Sequence, residues 1–134
     1  MQILKSFIEC YTKKYFDYST RSSRKEYISF IMLYGVINIA IQIIYIRTQH
    51  ILFGLLVMIL LISSLIPAIT IAVRRLHDIN RSGYYNSIII LVIFLVNSNE
   101  YKEIGIVMGL LYGCILIFLK GTQGPNKYGE EPKY

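Results

Sequence analysis

Four apolar stretches, set between short polar segments that are alternately rich and poor in basic residues, predict an all-α integral membrane protein. Its four transmembrane helices would leave both termini in the cytoplasm. The 134 residues are 54% apolar with a mean hydropathy of +0.50, more than a water-soluble domain of this length uses to build a core. Backbone amides in hydrocarbon must be paired within their own segment, so runs of this kind cross as helices.

The chain reads as a single membrane domain, residues 1–134. Within residues 1–20, Ile3, Leu4, Phe7, Ile8, Tyr11 and Tyr15 recur at three- and four-residue spacing, with Lys5, Glu9, Lys13 and Lys14 between them. That period predicts an amphipathic helix, suited to the inner leaflet surface or to the cytoplasmic end of a bundle. Six basic and three acidic residues precede residue 27, and no small-residue cleavage site follows the first long run, so that run is expected to stay attached.

Residues 27–46 and 51–73 are 20 and 23 residues without a formal charge, enough at about 1.5 Å per residue to cross roughly 30 Å of hydrocarbon. Residues 82–96 and 104–119 are 15 and 16 residues, nearer 24 Å, and need local thinning or interfacial anchors. Tyr84, Tyr85 and Tyr101 stand where such anchors belong. A re-entrant hairpin of these two runs would leave Glu100, Lys102 and Glu103 near mid-membrane, which costs several kcal/mol and favours full crossings.

Lys and Arg number six in residues 1–26, one in 47–50, three in 74–81, one in 97–103 and three in 120–133. Alternate segments thus hold twelve against two, and the positive-inside rule places the termini and the middle loop in the cytoplasm, with residues 120–134 as a cytoplasmic tail. The net charge of +6 is interrupted by apolar runs rather than spread over one polar surface, so anionic lipid is the expected partner and nucleic acid is not.

Within the spans, Tyr34, Asn38, Gln42 and Tyr45 share a helix face whose amides need partners, so this face is expected to point inward. Gly105, Gly109 and Gly113 repeat every four residues and predict close helix packing, within the chain or in a homo-oligomer. Pro67 removes a backbone donor, and Ser63 and Ser64 are placed to help satisfy the freed carbonyls. Cys10 and Cys114 have no spacing for a metal site or disulfide framework. No cofactor or metal is implied.

Three polar segments fall on the same predicted side. The first is Arg21-Ser-Ser-Arg24-Lys25-Glu26-Tyr27. The middle one is Arg74-Arg75-Leu-His77-Asp78-Ile-Asn80-Arg81-Ser-Gly83-Tyr84-Tyr85, and the tail is Lys120-Gly121-Thr-Gln-Gly124-Pro125-Asn126-Lys127-Tyr128-Gly129-Glu-Glu-Pro132. Together, from about Arg21 to Pro132, they resemble the bacterial inner-membrane proteins grouped as domain-of-unknown-function family eight hundred and five. That family's pattern is G-R-x-S-R-x-E-Y/W, R-R-L-H-D-x-x-x-S-G-W and K-G-x-x-G-x-N-x-Y-G-x-x-P. Thr20 replaces the usual glycine, and Tyr84 and Tyr85 stand where tryptophan is common. The resemblance implies a multi-pass protein of the bacterial inner membrane and carries no activity.

Arg21, Arg24, Arg74, Arg75, His77, Asp78, Arg81, Lys120 and Asn126 form the candidate cluster, binding an anion or lipid or serving as a structural clamp. Arginine forks hold phosphate bidentately, and Asp78, the one acid of the middle loop, is expected to pair with Arg74, Arg75 or Arg24 and to centre the three segments. A non-enzymatic protein binding anionic lipid or a protein partner is the leading reading. A small channel or carrier subunit is the alternative. A lipid-directed enzyme using His77 with Asp78 lacks a nucleophile, metal set or nucleotide loop, and no catalytic residue is assigned.

Overall fold

The computed structural model describes residues 2–132 and is all-helical, without strands among those residues; the tail's Lys133 lies outside them. The helices are α1 (Gln2–Tyr11), α2 (Arg24–Thr48), α3 (Ile51–Asp78), α4 (Ile88–Val96) and α5 (Lys102–Phe118), with a 3-10 turn at Gly83–Ser87. They belong to two compact units, residues 1–17 with 25–71, and residues 18–24 with 72–134.

In the first unit α1 stops at Tyr11, short of the expected helix through residue 20. Thr12, Asp17, Ser19 and Thr20 are weak helix formers that bond to nearby backbone instead. The Lys14 N–H closes a wide turn on the Glu9 carbonyl at 2.8 Å, and its ammonium reaches the buried Glu26 carboxylate at 2.9 Å. One face of α1 is packed: Ser6 and Cys10 are buried, and the rings of Phe7 and Tyr11 lie 5.6 and 6.0 Å from Phe30 of α2. Burial, ahead of the neighbouring Tyr34, raises the Tyr11 hydroxyl above its ordinary pKa of 10.0. Ile3, Leu4 and Ile8 form an exposed apolar edge.

α2 and α3 are the two described helices long and apolar enough to cross a membrane, and only 17% and 11% of their apolar windows are buried. A core helix of a water-soluble protein would hide most of that surface; these present it outward, as a helix in lipid does. They are joined by Gln49 and His50, with Gln49 in the left-handed region at φ 51. Asn38 is buried and accepts from the Gln42 amide at 3.0 Å. Gln42 itself is exposed, because it borders a cleft with Tyr45, Ile46, Gly54, Val57 and Met58; the polar face is turned inward at Asn38 and open one turn later.

Pro67 removes the N–H that would bond the Ser63 carbonyl. That carbonyl is satisfied by the Tyr15 hydroxyl at 3.2 Å. The Ser63 and Ser64 hydroxyls, the expected helpers, instead bond the carbonyls of Leu60 and Leu61, because a serine hydroxyl reaches back along the helix more readily than to its own carbonyl.

In the second unit α3 ends in a Schellman motif. Asn80, at φ 57, donates its N–H to the His77 carbonyl at 3.0 Å, and Arg81 donates to Leu76 at 2.8 Å. The third apolar run begins as the 3-10 turn, capped by the Ser82 hydroxyl, and is α-helical for only nine residues. Buried Asn86 interrupts it and accepts from the Tyr112 hydroxyl at 2.8 Å. α4 and α5 pack as a hairpin. A Cβ on Gly105 would lie 2.7 Å from the Val96 backbone nitrogen, and one on Gly109 3.2 Å from Val92, whereas Gly113 meets nothing within 4 Å. The four-residue glycine repeat therefore marks a close contact with α4 at its first two members and not at Gly113.

Gly105→Ala is expected to lower the melting temperature in detergent, since overpacking against backbone costs about 1–3 kcal/mol. Gly113→Ala should leave it unchanged or raise it slightly, alanine being the better helix former by about 1 kcal/mol.

Candidate functional site

The last turn of α3 carries Arg75 and Asp78 three residues apart, on one helix face. One Arg75 N–H group bonds Asp78 Oδ2. The same guanidinium extends to the end of α5, where Nε donates to the Leu116 carbonyl at 2.8 Å and Nη2 to the Leu119 carbonyl. Those carbonyls are among the last four of a helix, which have no partner of their own, and a cation there also meets the negative end of the helix dipole.

Arg21 reaches the carboxylate from the other side. The Ser22 N–H donates to the Arg74 carbonyl at 3.0 Å, fixing residues 21–22 beside the end of α3. From there Arg21 Nε and Nη2 bond Asp78 Oδ1 at 3.2 and 2.9 Å. Arg21, Arg75 and Asp78 are 5%, 0% and 4% exposed, so this is a buried Arg–Asp–Arg group in which each carboxylate oxygen is bonded.

The tail closes over it. Thr122 donates through its N–H and hydroxyl to the Asp78 carbonyl at 2.8 and 2.9 Å. The Asn126 amide donates to the His77 carbonyl at 3.0 Å and to the Thr122 hydroxyl at 2.7 Å. The Tyr128 ring lies parallel to the His77 imidazole, centroids 3.8 Å apart. Arg21 donates to the tail carbonyls of Thr122, Gly124 and Gly129 at 2.5, 2.6 and 3.3 Å. Gly124 and Gly129 have φ values of +71 and +117, backbone that turns these carbonyls back at little steric cost only for glycine. Gly121 has a different reason to be glycine: a Cβ there would overlap the Asp78 carboxylate.

Five of the nine candidate residues thus meet: Arg21, Arg75, His77, Asp78 and Asn126. Arg74 is fully buried and gives its carbonyl to Ser22. Arg24 is half-exposed and donates to the Phe118 carbonyl at 3.3 Å. Arg81 and Lys120 are exposed. Gly121, Thr122 and Tyr128 also belong to the cluster; Gly121 and Tyr128 are positions of the tail motif, while Thr122 falls at one of its open positions and carried no signal.

Chemically the group is a clamp. Both Asp78 oxygens are committed to arginines, and His77 Nδ1 faces the Thr20 carbonyl at 3.4 Å, so the two neighbours do not form a proton-transfer pair. Among the described residues no three His, Cys, Asp or Glu side chains are grouped to hold a metal ion.

Removing one member of a buried ion pair leaves an uncompensated charge and costs about 3–5 kcal/mol, against about 0–1 for a surface pair. Asp78→Asn is therefore expected to abolish folding or to lower the melting temperature by many degrees. Gly121→Ala should destabilise in the same direction while keeping every charge, and circular dichroism melts of both variants check this.

The sequence profile described as "Protein of unknown function (DUF805)" matches residues 15–130. Inner membrane protein YhaI of Escherichia coli strain K12 is 32% identical over 126 residues, covering 91% of this chain and 91% of the relative. YhaI of Escherichia coli O157:H7 matches to the same extent. No solved structure matches. Profile and relatives cover nearly the whole chain, the clamp and its tail included: the protein is an inner-membrane member of the DUF805 family.

Proposed function

We propose that this protein crosses the inner membrane four times with both termini in the cytoplasm, and that its cytoplasmic side presents cations to anionic lipid headgroups. The observation that carries this reading is the distribution of Lys and Arg, twelve on alternate segments against two on the others. In this reading residues 1–20 form an interfacial segment whose helix is α1 (Gln2–Tyr11), followed by spans at 27–46, 51–73, 82–96 and 104–119 and a tail at 120–134.

The exposed edge of α1 at Ile3, Leu4 and Ile8 supports a seat in the headgroup layer. The 3-10 turn and α4 together extend about 24 Å, short of the hydrocarbon thickness. Tyr84 and Tyr85, 89% and 59% exposed, suit a span end anchored at the interface. Burial divides the cations. Arg21, Arg74 and Arg75 are buried, which leaves Arg24, Arg81 and Lys120 of the candidate cluster to meet headgroups. Each is worth about 1 kcal/mol near an anionic surface.

Exposed Gln42 beside the α2 cleft favours a second reading, a channel or carrier subunit, which solute flux into proteoliposomes distinguishes.

Reporter fusions or cysteine accessibility at Gln49, Ser98 and Lys133 are expected to read outside, outside and inside; an external Lys133 overturns the topology. Phosphatidylglycerol is expected to raise the melting temperature more than phosphatidylcholine does. Combining Arg81→Ala with Lys120→Ala should shrink that difference, and an unchanged difference removes these residues from lipid contact.

A further inference from the structure

We infer that the C-terminal tail covers an anion-binding site whose central group is Arg21, and that the group it admits when the tail lifts is a phosphate. Arg21 shares the Asp78 carboxylate with Arg75. The rest of the Arg21 fork is directed at neutral oxygens: Nη1 at the carbonyls of Gly124 and Gly129, Nη2 at the carbonyl and hydroxyl of Thr122. Several oxygens converging on one guanidinium fork are what a phosphate group offers, with the addition of charge; charge-assisted bonds of this kind are roughly twice as strong as those to neutral acceptors.

The tail is built to move as a piece. Asn126 and Gly129 exchange both backbone hydrogen bonds at 3.0 Å, and the Glu131 carboxylate accepts from the Gly124 N–H at 2.7 Å, so the loop holds its own shape. Its other holds on the end of α3 are the Thr122 and Asn126 hydrogen bonds and the Tyr128 stack. Gln123, Pro125, Lys127 and Gly129 to Glu131 are exposed, and a surface loop with few apolar contacts opens at less cost than the core. The site is separate from Arg81 and Lys120, and stands whether or not those residues meet lipid.

The test uses the full-length protein. Hydrogen exchange of residues 121–132 is followed in mild detergent with inorganic phosphate against chloride at equal ionic strength, and in nanodiscs of phosphatidylglycerol against phosphatidylcholine. Faster tail exchange is expected with the phosphate-bearing anion. A response to inorganic phosphate identifies a soluble anion and a response confined to phosphatidylglycerol identifies a headgroup, either supporting the site. Unchanged exchange in both arms overturns it. Gly129→Val, which strains the tail turn, is expected to tighten inorganic phosphate binding about ten-fold if the tail fills the site nine-tenths of the time. Adding Arg21→Lys should cancel that gain. A Gly129→Val protein whose tail exchanges fast without binding phosphate more tightly, or a gain that survives Arg21→Lys, also overturns the proposal.

Discussion

One carboxylate holds the second unit together. Asp78 is buried at the end of α3, where the helix dipole disfavours an anion, and it is stable there because Arg75 and Arg21 bond its two oxygens. Each arginine carries the connection further, Arg75 to the terminal carbonyls of α5 and Arg21 to three carbonyls of the tail. The start of residues 18–24, the end of α3, the end of α5 and the tail are thereby joined through one group. Such a group contributes more to specificity than to net stability, because desolvating three charges offsets most of their attraction. An apolar cluster of equal volume would hold four segments together with less regard for which oxygen each side chain meets.

The membrane character and the existence of the three converging segments were legible in the sequence because they rest on long-range pattern: apolar length, alternating charge and repeated turn residues. The partners within the cluster were harder to read. Asp78 was expected with Arg74, Arg75 or Arg24, yet Arg21 supplies the second guanidinium; which of several arginines on one side of a membrane reaches a carboxylate depends on the backbone path of residues 18–23, which has no period to read. Gly121 was legible only as a position of the tail motif and proves to be a steric requirement. The glycine repeat signalled a contact but not its extent, since that depends on where α4 begins. The third apolar run illustrates the same limit: its composition suggested a helix from residue 82, while the Ser82 cap and buried Asn86 make its first turn 3-10.

Lipid as solvent explains why so few polar bonds hold so much. With apolar side chains as comfortable in hydrocarbon as in a protein interior, α2 and α3 leave most of their surface exposed, and burial alone does not specify how segments meet. Close approach at Gly105 and Gly109, the Tyr112 to Asn86 bond and the Arg–Asp–Arg group supply that specification in the second unit. In the first unit the Tyr15 hydroxyl on the carbonyl freed by Pro67 and the Lys14 to Glu26 pair do the same.

The basic residues consequently fall into two populations that the net charge of +6 conceals. Arginines inside the clamp have their N–H groups bonded to a carboxylate or to carbonyls, and contribute little to the field outside. Lysines and arginines at the surface keep their charge available, and their uneven distribution along the chain is the signal that orients membrane helices. A bidentate, always-charged guanidinium suits the first task and a mobile hydrated ammonium the second, which fits arginine at positions 21 and 75 and lysine at 120 and 127. The tail links the two: it satisfies a buried arginine with its backbone while presenting Lys127 to the outside, so whatever lifts it changes the number of cations on that face.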